Sequence, residues 1–283
     1  MENKYNVDRK ITLNNGFQIP CIGLGTYQIR KKPEIEKVIK TSYKVGYRLF
    51  DTASVYGNEK LIGDVINKNK IPRNEIFIIT KIHKGDMTYE KAIQSINSSL
   101  KKIQSNYIDM VLIHWPEVEN LEERINVWKA LEENVEEKKV RMIGVSNFCK
   151  RHLEHILNNC KIKPVVNQIE CNPIYWDEET IKYCEENNIV IQAYCPLAEW
   201  NPKLVDNDII KNIAKNKNKS ISQIILKWLL QKNVIPLPKS VHENYIKENF
   251  ELNGFYLTDD EMKNIDSLKS INYKTDLDPH NVP

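Results

Sequence analysis

The sequence predicts an α/β fold, more specifically a single (β/α)8 barrel. Two observations support this prediction. Eight short apolar runs recur along the chain, with amphipathic segments between them. Most of the runs end about 30 residues apart, which is the length of one strand–helix–strand unit. Runs without clear polar alternation suit a parallel sheet that is buried on both faces, and eight such units close most economically into a barrel.

The predicted strands share an apolar composition and precede a polar or turn-forming stretch. They are Cys21–Gly25, Tyr47–Asp51, Ile76–Thr80, Ile108–His114, Val140–Ser146, Val165–Ile169, Ile189–Tyr194 and Val234–Leu237. Between them apolar residues recur at helical spacing, as in Ala92, Ile96 and Leu100. An open doubly wound sheet is the alternative, and it is disfavoured because no G-x-G-x-x-G motif follows the first strand.

The two ends of the chain differ from this repeat. Two alternating runs surround Asn15-Gly16, which predicts a β-hairpin within residues 1–20 that closes the N-terminal mouth of the barrel. Thr258-Asp-Asp-Glu261 is a capping box that opens a last helix. The polar tail, 269–283, is predicted to be irregular. The whole chain, 1–283, is therefore predicted to be one domain.

Composition excludes several classes of protein. Hydrophobic residues make up 41% of the chain, charged residues make up 28%, and the net charge is +3. The small net charge, with Lys and Glu interspersed along the chain, argues weakly against nucleic-acid binding, which usually needs a basic face or stripe. No apolar run approaches the roughly 20 residues that span a bilayer, and the first residues lack a signal-peptide core. The six cysteines are widely separated, which favours reduced thiols over disulfides or a metal site. We expect a cytoplasmic protein.

Four polar residues stand at or just beyond the ends of predicted strands, where a barrel has its catalytic mouth. They are Asp51, Tyr56, Lys81 and His114. Each alone is explained as well by packing, capping or a salt bridge. Together they are predicted to form a site that handles a proton. A lysine ammonium lowers the pKa of a nearby phenol, a carboxylate holds the ammonium in place, and an imidazole orients a carbonyl.

A proton step of this kind needs a partner reaction, and hydride transfer is the obvious one. Because the protein side chains supply no hydride, a nicotinamide cofactor is implied. A metal-dependent barrel isomerase or hydrolase is a rival prediction. It requires clustered histidines and carboxylates at strand ends, whereas only His114 occupies such an end.

Several separate motifs, spread from about residue 11 to 268, resemble those of one family. They are Gly23-Leu-Gly-Thr-Tyr27, Phe50-Asp-Thr-Ala-Ser-Val-Tyr-Gly-Asn-Glu59, Thr80-Lys81, His114-Trp-Pro116, Ile143-Gly-Val-Ser-Asn-Phe148, Asn167-Gln-Ile-Glu-Cys-Asn-Pro173 and Pro238-Lys-Ser240. In these motifs the chain resembles the aldo-keto reductases, which are NAD(P)H-dependent carbonyl reductases on a (β/α)8 barrel. The shorter tail resembles the bacterial and protozoan branches and implies a more open substrate mouth.

The resemblance implies a role for each matching residue. Tyr56 is the general acid, Lys81 and Asp51 lower its pKa, and His114 positions the substrate carbonyl. Tyr27 and Trp115 are implied as walls of the substrate pocket. The implied cofactor contacts are Thr26 and Asp51 to the ribose, Ser146, Asn147 and Gln168 to the carboxamide, Tyr194 to the nicotinamide ring, Leu197 to the pyrophosphate, Lys239 and Ser240 to the 2′-phosphate, and Glu248 and Asn249 to the adenine.

One position departs from the family pattern. Tyr245 stands where an arginine usually grips the 2′-phosphate, and tyrosine keeps the stacking surface but loses the charge. The implied cofactor is therefore NADPH, with NADH as an alternative. The implied partner is a small carbonyl compound, and the implied state is a monomer. A non-catalytic nicotinamide-binding regulatory subunit on the same fold stays the alternative function.

Overall fold

The structure is a computed structural model, and it describes residues 5–118 and 120–283. The start of the predicted hairpin segment, residues 1–4, lies outside these described residues. The predicted hairpin is confirmed. It consists of the antiparallel strands β1 (Lys10–Thr12) and β2 (Gln18–Pro20), joined by a turn in which Gly16 adopts a positive φ of 83°. Only glycine takes up this left-handed backbone without steric cost.

Eight parallel strands follow within the described residues, as the sequence predicts. They are β3 (Leu24–Gly25), β4 (Leu49–Asp51), β5 (Phe77–Ile82), β6 (Ile108–Ile113), β7 (Val140–Ser146), β8 (Val166–Glu170), β9 (Val190–Tyr194) and β10 (Ile235–Pro236). Each strand pairs with the next one along the chain. Two backbone hydrogen bonds then join the last strand to the first, from Gly23 N to Pro236 O (3.1 Å) and from Gly25 N to Pro238 O (3.0 Å). The sheet therefore closes into a barrel.

The first strand is shorter than predicted. The apolar run begins at Cys21, yet β3 contains only Leu24 and Gly25. The Cys21 N–H donates to the Arg9 carbonyl oxygen at 3.3 Å, so this part of the run belongs to the hairpin side of the structure. An apolar run shows that a segment is buried, but it does not show which neighbour its backbone pairs with.

Helices pack around the barrel, and one face of each is apolar. Within the described residues they are α1 (Lys32–Val45), α2 (Glu59–Lys68), α3 (Tyr89–Ile103), α4 (Leu121–Glu136), α5 (Lys150–Leu157), α6 (Glu178–Glu186), α7 (Pro202–Val205), α8 (Asp208–Lys217), α9 (Ile221–Gln231), α10 (Glu243–Phe250) and α11 (Asp259–Asp266). The predicted capping box at Thr258 and Glu261 opens α11. In this part of the chain, no helix has both the length and the apolar character that crossing a bilayer requires.

Two apolar clusters form the core, one outside the barrel wall and one inside it. The outer cluster lies between the strands and the helices. The inner cluster combines barrel side chains with Leu13 and Ile19 of the hairpin segment, both of which are buried. The hairpin therefore packs onto the bottom of the barrel interior. The inner core is closed below by the hairpin, which leaves the carboxyl ends of the strands as the open end.

Candidate active site

Strand alternation explains why particular polar side chains face the barrel interior. Successive side chains of a strand point to opposite faces, so residues two apart share a face. Leu49, Ile79, Leu112 and Val166 belong to the inner cluster. The next interior position lies two residues further along each of these strands. These positions are Asp51, Lys81, His114 and Gln168. The same alternation along β7 and β9 brings Ser146 and Tyr194 to the mouth, where both line a cavity.

Asp51 and Lys81 form a buried ion pair at the floor of the mouth. The Lys81 ammonium donates to both carboxylate oxygens of Asp51, at 2.6 and 2.8 Å, and to the Thr52 carbonyl oxygen at 3.1 Å. Both side chains are almost fully buried. Gln168 adds a hydrogen bond from its amide nitrogen to Asp51 Oδ2 at 2.8 Å. These contacts fix the direction of the ammonium group, because its donors are already matched to nearby acceptors.

Tyr56 lies directly above this pair. A short 3-10 turn, Ser54–Tyr56, carries it over the end of β4, and the Ser54 hydroxyl donates to the Lys81 carbonyl oxygen at 3.0 Å. The Lys81 ammonium lies 5.2 Å from the centre of the Tyr56 ring. The rings of His114 and Tyr27 flank it, with centroids at 5.9 and 5.0 Å. Tyr56, Lys81 and His114 therefore lie together around one space, as the sequence predicts.

The expected lowering of the Tyr56 pKa is wrong for this arrangement. Burial raises the pKa of the Tyr56 phenol well above its ordinary value, and the nearby charge of Asp51 raises it further. Burial also lowers the pKa of Lys81, although Asp51 opposes this effect. The physical reason is the closeness of the ion pair. Because Asp51 offsets the charge of the ammonium, the desolvation of the phenolate dominates. The phenol is therefore held in its protonated form.

His114 is held neutral in the mouth. Burial lowers its pKa to about 3, and the charges of Lys81 and His83 act in the same direction. Its Nδ1 atom is buried and has no hydrogen-bond partner among the described residues. Its backbone carbonyl accepts from the Asn147 side chain at 2.9 Å, which fixes the position of the residue. A neutral imidazole with an unused polar atom is suited to binding an oxygen of a ligand.

The residues predicted to hold the carboxamide form one hydrogen-bonded network. The Tyr194 hydroxyl donates to Asn147 Oδ1 at 2.8 Å, and the Ser146 hydroxyl donates to the Gln168 carbonyl oxygen at 2.9 Å. Asn147 has a left-handed backbone with φ of 61°. Beneath this network the fully buried Gln192 accepts from Gln168 at 3.1 Å, and its own amide nitrogen has no partner in the part of the chain that the structure describes.

A cavity of 770 Å³ opens above these groups and continues along the rim towards β10. Its volume is within the range of small-molecule and cofactor sites. The predicted site residues along its wall are Tyr27, Asp51, Tyr56, His114, Trp115, Ser146, Asn147, Gln168, Tyr194, Leu197 and Lys239. The two predicted substrate-pocket residues, Tyr27 and Trp115, thus lie on the same cavity as the proton-handling group.

Apart from Lys239, the residues predicted for the adenosine end lie outside this cavity, on or beside α10. Tyr245 is 57% exposed, and its ring meets that of His242 edge to face at 5.6 Å. Glu248 accepts from the Ser220 hydroxyl at 2.7 Å. Asn249 is buried, and its Oδ1 atom has no partner among the described residues. Ser240 is half-buried between the cavity and α10. Their roles in cofactor binding stay predictions.

Thr26 lies behind the cavity wall. Its side chain is fully buried, and its hydroxyl donates to the Asp51 carbonyl oxygen at 2.8 Å. The amide of Asn58, which is also buried, donates to the Thr26 carbonyl oxygen at 2.9 Å. The side chain therefore braces the strand end that carries Asp51, and its predicted contact with a ribose has no support from this geometry.

The loop after β9 has a feature that sequence reasoning missed. Cys195, Ala198 and Glu199 have positive φ values of 44°, 46° and 52°, although none of them is glycine. Such backbone is costly for these residue types and recurs at ligand sites. All three residues belong to the loop that carries Leu197. Glycine is the usual sequence signal for this conformation, and the loop contains none.

The C-terminal tail is a second feature that was missed. The sequence predicts an irregular tail, and its shortness implies a more open mouth. Among the described residues the tail has only short 3-10 turns, of which the last is Pro279–Asn281, and its residues Thr275, Asp276 and Leu277 line the cavity. Arg30, His83 and Lys84 also reach the wall. The tail therefore contributes to the cavity wall, and the more open mouth implied by its length stays a prediction.

An alternative metal centre would need several ligand side chains close together. Across residues 5–118 and 120–283, no three or more His, Cys, Asp or Glu side chains are placed to hold a metal ion together. The polar groups of the mouth are a lysine, a phenol, an imidazole and amides around one carboxylate. This set suits an organic ligand with hydrogen-bonding groups.

Comparisons with known proteins agree with this geometry. The family model for the aldo/keto reductase family matches residues 21–270. A glyoxal reductase of Bacillus subtilis is 38% identical over 258 residues, which cover 91% of this chain and 92% of that protein. An aldo-keto reductase from a Medee basin deep-sea metagenome library has a crystal structure with a TM-score of 0.92 and 38% identity, covering 96% and 99% of the two chains. An aldo-keto reductase of Bombyx mori, solved in complex with NADP, has a TM-score of 0.88 and 29% identity, covering 97% of each chain.

The closed barrel, the mouth and these matches define an oxidoreductase of the (β/α)8 type. The chain belongs to the aldo/keto reductase family.

Proposed function

We propose that this protein reduces small aldehydes and ketones to alcohols with NADPH, and that Tyr56 is the general acid. The observation that supports this most strongly is the buried Asp51–Lys81 pair, with Tyr56 and His114 above it on one cavity. A protonated phenol beside a neutral imidazole is the arrangement that a carbonyl oxygen needs when it becomes a hydroxyl.

The residues present fit a nicotinamide dinucleotide. Nine buried polar side-chain atoms have no partner among the described residues, and three of them belong to predicted site residues or to the network below the mouth: His114 Nδ1, Gln192 Nε2 and Asn249 Oδ1. His114 lines the cavity, Gln192 lies beneath it against Gln168, and Asn249 is on α10. Such atoms are costly to leave unpaired, so their presence points to a polar ligand along this path. When bound, the cofactor supplies the hydride.

The chain's own residues then divide the remaining work. Lys81 and Asp51 form a fixed electrostatic floor beneath the phenol. Tyr56 donates its proton to the oxygen of the carbonyl, and His114 orients that oxygen. Tyr194 and Asn147, joined by their 2.8 Å hydrogen bond, form a rigid wall on the cofactor side. A preorganised arrangement of this kind lowers the barrier because little has to move during the reaction.

The preference for NADPH rests on Lys239, which is exposed and reaches the cavity wall. A lysine ammonium attracts a phosphate as a point charge. NADP is also the ligand of the Bombyx mori neighbour. Glyoxal is our first candidate substrate, because a glyoxal reductase is among the relatives. Since Tyr245 lacks the charge of an arginine, we expect NADH to be used as well, at lower affinity.

The test is a substrate panel in which oxidation of the cofactor is followed by the loss of the absorbance of the reduced nicotinamide. Glyoxal and other small aldehydes are offered with NADPH and with NADH. Turnover with NADPH is expected. Binding of NADPH, detected by fluorescence, without turnover of any aldehyde would instead favour a regulatory nicotinamide-binding protein. We also expect the protein to be a monomer. Size-exclusion chromatography with light scattering measures this oligomeric state.

A further inference from the structure

The carboxylate of Glu170 is a buried group that the proposed reaction does not use. Glu170 is the last residue of β8 and shares the interior face with Val166 and Gln168. Its side chain is fully buried. A carboxylate in such a place must be paired or saturated with hydrogen bonds, because an isolated buried charge is very costly.

The partners of Glu170 come mainly from the C-terminal tail. Its Oε1 atom accepts from the Thr275 N–H and the Thr275 hydroxyl, both at 2.8 Å. Its Oε2 atom accepts from the Asp276 N–H and from the Lys274 ammonium, both at 3.2 Å. Asn172 adds a longer contact of 3.5 Å. Two successive backbone N–H groups, a hydroxyl and an ammonium thus converge on one carboxylate.

This clamp decides which groups face the mouth. Thr275, Asp276 and Leu277 line the cavity directly after the clamped lysine. Asp276 brings a carboxylate to the wall, and its charge contributes to raising the pKa of both Tyr56 and Tyr194. Its influence therefore reaches the end of the cavity where the carbonyl is reduced.

The positively charged side chains on the cavity wall do little to neutralise the charge of Asp276. Lys84 is paired with Glu117 at 2.8 Å, and Arg30 is exposed to solvent. Lys239 lies next to Gly25, at the end of the cavity formed by β3 and β10. Glu199 adds a second negative charge to the wall. An anionic group beside the reacting carbonyl meets a like charge, which disfavours its binding.

We propose that Glu170 is a positioning residue that clamps the tail, so that Asp276 selects against carbonyl substrates that carry a negative charge. The role of Asp276 in substrate selection rests on the proposed reductase function. The clamp itself can be tested without any enzyme activity.

The first experiment measures tail release by limited trypsin digestion. Trypsin cuts after lysine, and the Lys274 side chain is only 12% exposed while it is held by Glu170. In Glu170→Gln the peptide 275–283 is expected to appear about tenfold faster than in the wild type, because one amide oxygen replaces a carboxylate that accepts on both atoms. The peptide is quantified by mass spectrometry under native conditions.

The matched control is Glu178→Gln. Glu178 pairs with Lys269 at 2.7 Å, but this pair is exposed and lies outside the clamp. Release of peptide 275–283 at the wild-type rate is expected for this variant. If Glu170→Gln matches the wild type, or if Glu178→Gln releases the peptide equally fast, the clamp is refuted. Thr275→Val, which removes only the hydroxyl bond, replaces Glu170→Gln if that variant does not fold, and a smaller acceleration is expected from it.

The second experiment measures selectivity with a matched pair of aldehydes, para-formylbenzoate and its methyl ester. We compare the ratio of kcat/KM for the ester to that for the acid. In Asp276→Asn this ratio is expected to fall about fivefold, the effect of one charge in a partly exposed site. Glu170→Gln is expected to lower the ratio in the same direction, and the double variant is expected to give no further decrease.

The outcomes separate the two proposals. An unchanged ratio in Asp276→Asn refutes the selectivity role. Additive effects in the double variant refute the idea that Glu170 acts through Asp276. If the wild type reduces neither aldehyde nor any member of the substrate panel, the proposed reductase function fails, while the trypsin result still decides whether the clamp exists.

Discussion

The two ends of the cavity are built in opposite ways. At the mouth, Asp51, Lys81 and Gln168 are buried and joined by hydrogen bonds of 2.6 to 2.8 Å. At the β10 end, Lys239 and Tyr245 are exposed, and the Tyr245 ring meets the His242 ring edge to face. Under the proposed function, we expect the rigid interior network to set the chemistry and the solvent-facing side chains to set the choice of cofactor. Changes at the first end should alter turnover, and changes at the second should alter affinity.

The largest effect is expected from Lys81→Met. Loss of the ammonium leaves Asp51 buried without its ion-pair partner, which costs about 3–5 kcal/mol of folding stability. It also removes the fixed charge beneath the phenol, and kcat is expected to fall by about 10³-fold. Denaturant unfolding and steady-state kinetics measure the two effects separately.

Lys60→Met is the matched control for that variant. Lys60 pairs with Asp64 at 2.8 Å on the exposed face of α2. Exposed pairs contribute about 1 kcal/mol at most, so stability and turnover should stay close to those of the wild type. If Lys81→Met behaved like Lys60→Met, the mouth would not be the rigid end of the cavity.

An intermediate effect is expected at the other end, from Tyr245→Arg. The added guanidinium should lower the dissociation constant for NADPH about fivefold and leave that for NADH nearly unchanged, because only NADPH carries a 2′-phosphate. Fluorescence titration of the unreacted cofactor measures this without any turnover. Tyr256→Arg, at another exposed tyrosine, controls for the change in net charge. Equal tightening of both cofactors would show that Tyr245 is not near the 2′-phosphate.

The smallest effect is expected from pH. The pKa of Tyr56 is raised, so the phenol stays protonated to higher pH than usual, and the His114 pKa is lowered to about 3, so the imidazole is already neutral in weak acid. Neither group changes its charge between about pH 5 and 9, whereas a free histidine titrates inside this range, near about 6.5. The value of kcat for reduction should therefore vary less than about twofold in this range. An inflection near neutral pH would mean that Lys81 acidifies the phenol after all.

The comparison also explains how much of the site was readable from the sequence. Asp51, Lys81 and His114 were found because strand ends and side-chain alternation are local patterns, and the barrel follows from their repetition. The direction of the Tyr56 pKa was not readable, because it depends on burial and on the 2.6 Å contact between Lys81 and Asp51. A sequence places those two residues on neighbouring strands but does not give the balance between charge and desolvation.

The tail and the loop after β9 show a different limit. Glu170 and Thr275 are 105 positions apart in the sequence. The polar tail also has no hydrophobic periodicity that would reveal where it packs. The left-handed backbone at Cys195 and Ala198 has no glycine to announce it. Both features come from tertiary contacts that select one conformation among several that the local sequence allows.

The most direct test of the central claim is Tyr56→Phe, measured by turnover and by cofactor binding on the same preparation. Removing only the hydroxyl takes away the proton donor, so kcat with NADPH and glyoxal should fall by about 10²-fold or more. The dissociation constant of NADPH should stay within about twofold of the wild type, because the Tyr194–Asn147 wall is untouched. Wild-type turnover in this variant would contradict the assignment of Tyr56 as the acid.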